Sequence, residues 1–263
     1  SWRKRARKIW TIAALALLLI PLGFAALGLT VTPEQAQEVD PAAVNAPPSA
    51  DHPWGADALG RDLRAQVLRG ELASLIIVIG AAALTALPGG LLGGLIGSLA
   101  SRRALWAESL ADLLLLPADV LLFIPTVPAA MIIMTQREPG LAPILVTASI
   151  VLLPRVIRAA QTLWMAAPAQ RRRWPLGLIG LGALFLCASF AALWLVAGID
   201  FLGFGARSLG SVLSGTVRTM PHSPRGLLAS GGVLWLSAFA MYAAADALIG
   251  FFHSKEVMAR MNE

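Results

Sequence analysis

The stretch SLIIVIGAAALTALPGGLLGGLIGSLA, residues 74–100, runs for 27 residues without a charged side chain. An α-helix of about 20 apolar residues is long enough to cross the roughly 30 Å hydrocarbon core of a bilayer. Within the stretch, Gly89, Gly93 and Gly97 recur every four residues. Small residues at that spacing let helices approach closely in lipid, where packing drives association. The stretch therefore predicts a transmembrane helix that makes a tight contact with another helix.

Five further apolar runs lie on either side of this stretch. They cover residues 9–29, 105–135, 141–163, 176–204 and 227–252. Hydrophobic residues make up 57% of the chain and charged residues 14%, against about 25% charged residues in soluble domains. These features predict an all-α integral membrane protein with six transmembrane helices. Because the run at 105–135 contains Pro117, Pro125 and Pro128, we expect a kink or break within it.

Lysine and arginine residues are unevenly distributed between the connecting segments. If the N-terminus is cytoplasmic, fourteen of the 21 lie in cytoplasmic segments and seven in external ones. Cytoplasmic loops carry the excess of positive charge, so both termini are expected in the cytoplasm. The chain then divides into a basic N-terminus (1–8), a first span (9–29), an extracytoplasmic loop (30–73), a five-helix core (74–252) and a cytoplasmic tail (253–263).

The sequence contains no pattern typical of a catalytic or metal site. Cys187 is the single cysteine, and His52, His222 and His253 are far apart in sequence. Motifs of the HExxH, GxSxG and P-loop types do not occur. The pI is about 10.6, but the basic residues flank membrane spans and do not form a binding face. We interpret them as topology signals, and we expect no nucleic-acid partner. We expect no catalytic residue, no metal ligand and no cofactor in this chain.

Acidic residues within the predicted spans allow two interpretations. Either they line a hydrated pathway or bind a cationic substrate, or they pair with arginines and backbone groups, because an unpaired charge in a membrane is costly. We keep both interpretations for these candidates: Asp112, Asp119, Asp200 and Asp246.

The segment DHPWGADALGRDL, residues 51–63, is too polar to lie in hydrocarbon. Gly55 and Gly60 permit turns there. Asp57, Arg61 and Asp62 can form a local network of ion pairs and helix capping that fixes the chain at the membrane surface. The candidate residues of this motif are His52, Gly55, Asp57, Gly60, Arg61 and Asp62.

A longer segment around this motif, HPWGADALGRDLRAQVLRGELASL at residues 52–75, resembles the lead-in to the second span of permease subunits of peptide-type ABC importers. Their pattern is HP-x-G-T-D-x-x-G-R-D followed by R-x-x-x-G-x-x-x-S-L; here Ala56 replaces the threonine, and Leu72 stands where an arginine is common. The blocks DVLLFIP (119–125), DFLGFG (200–205) and AADALIGF (244–251) are similar to later blocks of the same subunits, in the same order.

The resemblance implies a type I ABC importer permease fold and half of a translocation pathway for peptides or a similar small solute. It also implies a place in the bacterial cytoplasmic (inner) membrane and several partners. These are a second homologous permease, two ABC ATPase subunits or a fused pair that hydrolyse MgATP, and an extracytoplasmic substrate-binding protein. A nickel or chelated-metal importer of the same architecture and a non-transporting scaffold subunit are the alternatives.

One stretch departs from the resemblance. Such permeases carry an EAA-x-x-x-G coupling loop that docks on the ATPase, whereas RVIRAAQTLWMAAPAQRRRWPLG, residues 155–177, has no acidic residue. Its basic residues either dock an ATPase in another way or anchor the chain near anionic lipid. A further alternative is that this subunit couples weakly and its partner permease transmits most of the movement. A loss of coupling would favour the scaffold alternative. The candidate coupling residues are Arg158, Ala166, Ala167, Arg171, Arg172 and Arg173.

Overall fold

The computed structural model describes residues 2–102, 104–138, 140–166, 174–204, 207–218 and 224–260, with side chains except at 3, 4, 166, 174–177 and 251–260. These residues form nine α-helices and two short 3-10 helices, Gln35–Gln37 and Pro41–Ala43. The α-helices are α1 (Trp2–Leu17), α2 (Leu19–Gly28), α3 (Leu63–Ala100), α4 (Leu105–Leu122), α5 (Thr126–Met134), α6 (Leu141–Ala166), α7 (Trp174–Phe201), α8 (Leu209–Arg218) and α9 (Pro224–Arg260).

Long apolar helices account for the predicted spans. By length and composition, five helical segments of the described chain can cross a membrane, and a sixth is reached when α4 and α5 count as one span. The segment Arg5–Gly28, which joins α1 and α2, is one of the five. The chain is therefore an all-α, multi-pass membrane protein, as its apolar runs predict.

A sharp bend separates α4 from α5. The two helices meet at 79°, and Pro125 is the N-cap of α5 with extended backbone (ψ 130°). Proline cannot donate the helical hydrogen bond, and it forces the residue before it out of the helical conformation. Pro117, by contrast, lies inside the unbroken α4. The predicted break in the 105–135 run is confirmed, and its position is Pro125.

The helices differ from those predicted in several places. Helix α3 begins at Leu63, eleven residues before the predicted span at 74–100, so the end of the predicted 30–73 loop is helical. Helix α7 ends at Phe201 instead of residue 204. Helix α8 was not predicted at all, because its ten residues, LGSVLSGTVR, include two glycines, two serines and a threonine, which are weak helix formers.

Helix α3 lies at the centre of the bundle and packs against α2, α4, α6, α7, α8 and α9. Its buried apolar side chains share one core with those of the neighbouring helices. Members of this core include Ile77, Val78 and Ala81 of α3, Ile144, Ala148 and Leu152 of α6, and Leu193, Val196 and Ile199 of α7.

The glycine row of α3 faces α6. A Cβ atom built on Gly93 would overlap the carbonyl oxygen of Ile157 and lie 2.6 Å from the Cβ of Ala160. Built on Gly89, it would lie 2.8 Å from a methyl of Val156. The two backbones thus approach more closely than any side chain at these positions permits. The tight contact that the spacing predicts is present, and α6 is the partner that the sequence alone did not identify.

We expect the substitution Gly93→Ala to destabilise the chain by about 1–3 kcal/mol, the usual cost of overpacking a close contact. The matched control is Gly23→Ala on α2, where a Cβ meets no atom within 4 Å. Alanine is the better helix former there, so the control should retain or slightly gain stability. Thermal unfolding of the purified chain in detergent measures both. Equal stabilities for the two variants would contradict the close approach.

Candidate functional site

The carboxylate of Asp57 organises the 51–63 motif. Its Oδ1 accepts hydrogen bonds from the backbone N–H groups of Leu59 (2.8 Å) and Arg61 (2.9 Å). Its Oδ2 accepts from Nε of Arg61 (2.8 Å) and Nε2 of Gln66 (3.0 Å), and it lies 2.7 Å from Nη2 of Arg61 in an ion pair. One buried carboxylate therefore closes the turn and ties it to the first turn of α3.

Two glycines let the backbone turn around this carboxylate. Gly55 (φ +83°) and Gly60 (φ +78°) occupy the left-handed region, where a Cβ atom is unfavourable. A Cβ on Gly60 would also overlap the backbone of Asp40, and one on Gly55 would lie 2.7 Å from the carbonyl oxygen of Ala46. The turns that the two glycines predict are therefore present.

Asp62 begins the long helix. Its side chain accepts hydrogen bonds from the backbone N–H groups of Arg64 (3.1 Å) and Ala65 (3.4 Å), and its backbone is extended, as an N-cap requires. Leu63 N–H donates to the carbonyl oxygen of Gly55 at 3.1 Å, which joins the cap to the turn. The predicted ion pair and cap are thus both present, with Asp57 and Asp62 in separate roles.

The motif is also fixed to the first span. Trp54 makes an edge-to-face contact with Phe24 of α2 (ring centroids 6.4 Å apart). Nη1 of Arg69 donates to the carbonyl oxygen of Val31, just after α2. The carbonyl oxygen of His52 accepts from the N–H of Gly55 at 2.8 Å, so this residue acts through its backbone. We call this end of the bundle, where residues 30–62, the start of α3 and α8 lie, the loop end.

The charge state of Asp57 follows from these contacts. Burial raises the pKa of its carboxyl. The hydrogen bonds from the Arg61 side chain and from the N–H groups of Arg61 and Leu59, together with the charge of Arg61, outweigh burial and hold that pKa below its usual range. Asp57 is therefore ionised at neutral pH and stabilises the turn as an anion.

Four acidic residues were candidates for an intramembrane pathway or for pairing. Asp119 of α4 forms an ion pair with Arg158 of α6 (2.6 Å), and both side chains are about one-third exposed. Oδ2 of Asp200 accepts hydrogen bonds at 2.6 Å from both the N–H and the hydroxyl of Ser208. Asp112 and Asp246 are exposed. Two of the four are thus engaged in pairing, and no group of three potential metal ligands occurs among the described residues.

The candidate coupling residues fall partly outside the described chain. The candidate coupling residue Arg158 lies inside α6, within the predicted span at 141–163, and its Nη1 also donates to Gln161 (2.8 Å). The helix continues because its apolar face remains in contact with α3 beyond this residue. Ala166 is the last residue of α6. Ala167, Arg171, Arg172 and Arg173 lie outside the described residues.

Sequence reasoning missed two polar contacts at the loop end. Ser74 Oγ accepts from the N–H of Leu209 at 3.0 Å, so the start of α8 is fixed on α3. Glu71, which the sequence placed in a loop, lies within α3 with no exposed surface. Once α3 is known to begin at Leu63, Glu71 lies on the same helix face as Ser74, three residues further on. This spacing was the signal in the sequence that could have indicated its burial.

We expect Asp57→Asn to lose about 1.5–3 kcal/mol of stability, the range for a hydrogen bond to a charged group, because the amide cannot accept all of these donors. The control Asp51→Asn removes an exposed acid from the same segment. The unfolded pKa of an aspartate is about 3.9, and the folded pKa of Asp57 is lower. Its contribution is therefore full above the unfolded pKa and is lost as the pH falls through the folded one. Unfolding of both variants across acid and neutral pH tests this. If the difference in stability between the wild-type protein and Asp57→Asn is the same in strong acid as at neutral pH, the prediction is wrong.

The ion pair in the membrane helices can be tested with Asp119→Asn, Arg158→Gln and the double variant. We expect the double variant to lose less free energy of unfolding than the sum of the losses in the two single variants. A double-mutant cycle on contacting residues yields coupling energies of about 0.5–3 kcal/mol. Asp112 is exposed and lies about two helical turns from Asp119 on the same helix. The variant Asp112→Asn therefore provides the reference for loss of charge alone. Strict additivity in unfolding measurements would show that the pair contributes no coupling.

Comparison with known proteins finds several relatives of this chain. No protein-family model matches it. It is 27% identical to a protein of Brucella ovis named as a peptide permease, over 88% of this chain and 82% of the relative. It is 28% identical to a dipeptide transport system permease of Bacillus subtilis, over 60% of this chain and 48% of the relative. A D,D-dipeptide transport system permease of Escherichia coli is 33% identical over 44% of this chain and 36% of the relative.

The relatives agree with the architecture. The alignment with the Brucella protein covers most of both chains, and the structure has the helices that a multi-pass permease needs. The folded 51–63 motif and the order of the later blocks fit the same class of protein. In its membrane helices and over most of its length, the chain is thus similar to proteins named as permeases of peptide and dipeptide transport systems.

Proposed function

We propose that this chain forms half of the translocation pathway of a bacterial ATP-driven importer that moves peptides or a similar small solute. The observation that carries the cargo class is the similarity to relatives whose names refer to peptide and dipeptide transport. The expected partners are a second homologous permease, two ABC ATPase subunits or a fused pair that bind and hydrolyse MgATP, and an extracytoplasmic substrate-binding protein.

The positive charges support an orientation within the cytoplasmic membrane. Fourteen of the 21 lysine and arginine residues lie on the side of the N-terminus if the chain crosses six times, and such an excess is typical of cytoplasmic segments. In this orientation both termini are cytoplasmic. The loop end, with its folded 51–63 motif, then faces the compartment from which a binding protein delivers cargo.

The geometry of the 51–63 motif fits a docking or shaping role at the mouth of the pathway. Its polar groups bond largely to one another: Asp57 engages Arg61 and Gln66, and Asp62 caps α3. A segment held by such internal bonds presents a fixed surface, and a fixed surface lowers the entropic cost of docking. We assign the motif this role in preference to direct contact with cargo.

The alternative of a metal importer has less support from the acids. Asp119 is paired with Arg158, and Asp200 accepts two hydrogen bonds from Ser208. A carboxylate neutralised by a guanidinium is a weakened ligand for a divalent cation, which needs several free oxygen ligands. The peptide class is therefore the better supported cargo.

Purification of the tagged chain from its native membranes in mild detergent tests the assembly. We expect a second permease and ABC ATPase subunits to co-purify. The complex in liposomes, with its binding protein outside and MgATP on the ATPase side, should accumulate a labelled dipeptide or oligopeptide, and nickel ions should not compete.

Two results would contradict the proposal in different ways. Recovery of the chain with unrelated membrane proteins and no ATPase would favour the scaffold alternative. Uptake of nickel by an intact importer complex, with no uptake of peptide, would retain the assembly and replace the cargo. The Glu108→Gln variant, changed at an exposed acid of α4, serves as the active control for the liposome preparation.

A further inference from the structure

Glu71 is a buried acid that the transport assignment does not use. It lies on α3 with no exposed surface. Its Oε1 accepts a hydrogen bond from the hydroxyl of Ser237 on α9 at 2.7 Å. Its Oε2 is also buried and has no hydrogen-bond partner among the described residues. A carboxyl group at the contact between two long helices therefore receives a single neutral hydrogen bond.

An ionised carboxylate in this position would be expensive. Removing a carboxylate from water costs several kcal/mol unless a cation or several donors replace the water. Asp57 shows what an ionised buried acid requires, because it has an arginine partner and backbone donors. Asp200 likewise accepts two hydrogen bonds from Ser208. Glu71 has one serine hydroxyl, and its second oxygen has nothing to replace water.

The ionisable groups nearest to Glu71 are engaged elsewhere or lie at a distance along the helices. Asp200 of α7 bonds to Ser208, and α2 carries no ionisable side chain. On α9, Arg225 precedes Ser237 by about 18 Å of helix rise, and Asp246 follows it by about 13 Å. Arg218 ends α8, near the Thr216–Ser230 contact, and Arg64 and Arg69 of α3 itself are partly or fully exposed.

The charges of α4 and α6 lie toward the opposite end of the bundle. Val156 of α6 contacts Gly89, which is about 27 Å from Glu71 along α3 by helix rise. The charges of α6 and α4 lie at or beyond that level: Arg155, Arg158, Asp119, Asp112 and Glu108. Among the described residues, ion pairs join Arg61 to Asp57 and Arg158 to Asp119, and neither includes Glu71.

We propose that Glu71 is a proton-binding site: its carboxyl group carries a proton on Oε2 while α3 and α9 are packed together, and releases it to water when the two helices separate. The neutral acid suits the apolar contact, and Oε1 remains free to accept the hydrogen bond from Ser237. Any movement that hydrates Glu71 converts it to a carboxylate and a solvated proton. The packing of α3 on α9 is thereby linked to pH.

The sign of the linkage follows from proton balance. Wherever a hydrated glutamate is ionised, separating the helices releases one proton, so higher pH favours separation and lower pH favours packing. This inference does not depend on which cargo the permease carries. It concerns the chain itself, so it can fail while the transport assignment holds.

Infrared spectroscopy of the purified full-length chain, with its partners if they co-purify, tests the protonation directly. With glutamate carboxyl groups labelled with ¹³C, we expect the C=O stretch of a protonated carboxylic acid at neutral pH, shifted by the label. The band should disappear in Glu71→Gln. In Ser237→Ala it should move to higher frequency, because the carbonyl loses its hydrogen bond. Absence of the band from the wild-type protein, or its persistence in Glu71→Gln, would overturn the proposal.

Thermal unfolding as a function of pH provides a second readout with a matched control. The unfolding midpoint of the wild-type protein should fall more steeply than that of Glu71→Gln between about pH 5 and about pH 8, because only the wild-type site loses a proton on unfolding. Glu108→Gln, on the exposed face of α4, should keep the wild-type slope. Equal slopes for the wild-type protein and Glu71→Gln would contradict the linkage.

Discussion

The close approach of α3 and α6 is the constraint on which the rest of the bundle depends. It exists because Gly93 has no side chain where the carbonyl of Ile157 passes. In a bilayer, lipid tails are as apolar as leucine, so helices associate through such close packing and not through a hydrophobic driving force. Helix α3 packs against α6 on its glycine face and against α2, α7, α8 and α9 on its other sides. A wider spacing at the glycine face would displace every other contact of α3.

The two ends of α3 are held by different forces. Along its glycine row the contacts are dispersion between close surfaces, whereas at its start they are charge-assisted hydrogen bonds centred on Asp57 and Asp62. The difference between the two ends matches their surroundings, water at the start of α3 and hydrocarbon along the glycine row. Charged groups can be satisfied cheaply near water and only at high cost in hydrocarbon, so the motif that begins α3 is polar and the rest of the helix is apolar. Among the acids that lie within the long helices, Glu71 of α3 bonds to Ser237 and Asp119 of α4 pairs with Arg158.

The sequence was sufficient for the features that depend on local pattern. Apolar length predicted the spans, and the prolines of the 105–135 run predicted a break there, although not its position at Pro125. The spacing of Asp57, Arg61 and Asp62 predicted the pair and the cap. Features that depend on which helices meet could not be predicted. The pairing of Asp119 with Arg158 joins residues 39 positions apart, and α8 is held by contacts to Ser74 that periodicity does not encode. Because the sequence did not reveal that α3 begins at Leu63, Glu71 was placed in the predicted 30–73 loop.

The unusual length of α3 has a mechanical consequence. Its 38 residues form a rod of about 57 Å, with the folded motif clamped to one tip. A helix of this kind can act as a lever: because no loop interrupts it, a tilt of the motif would also tilt the part of α3 that precedes Pro88. The weak point of the lever is Pro88, whose missing N–H leaves the carbonyl of Leu84 without its helical donor. The pivot would thus fall immediately before the glycine row that seats the rod on α6.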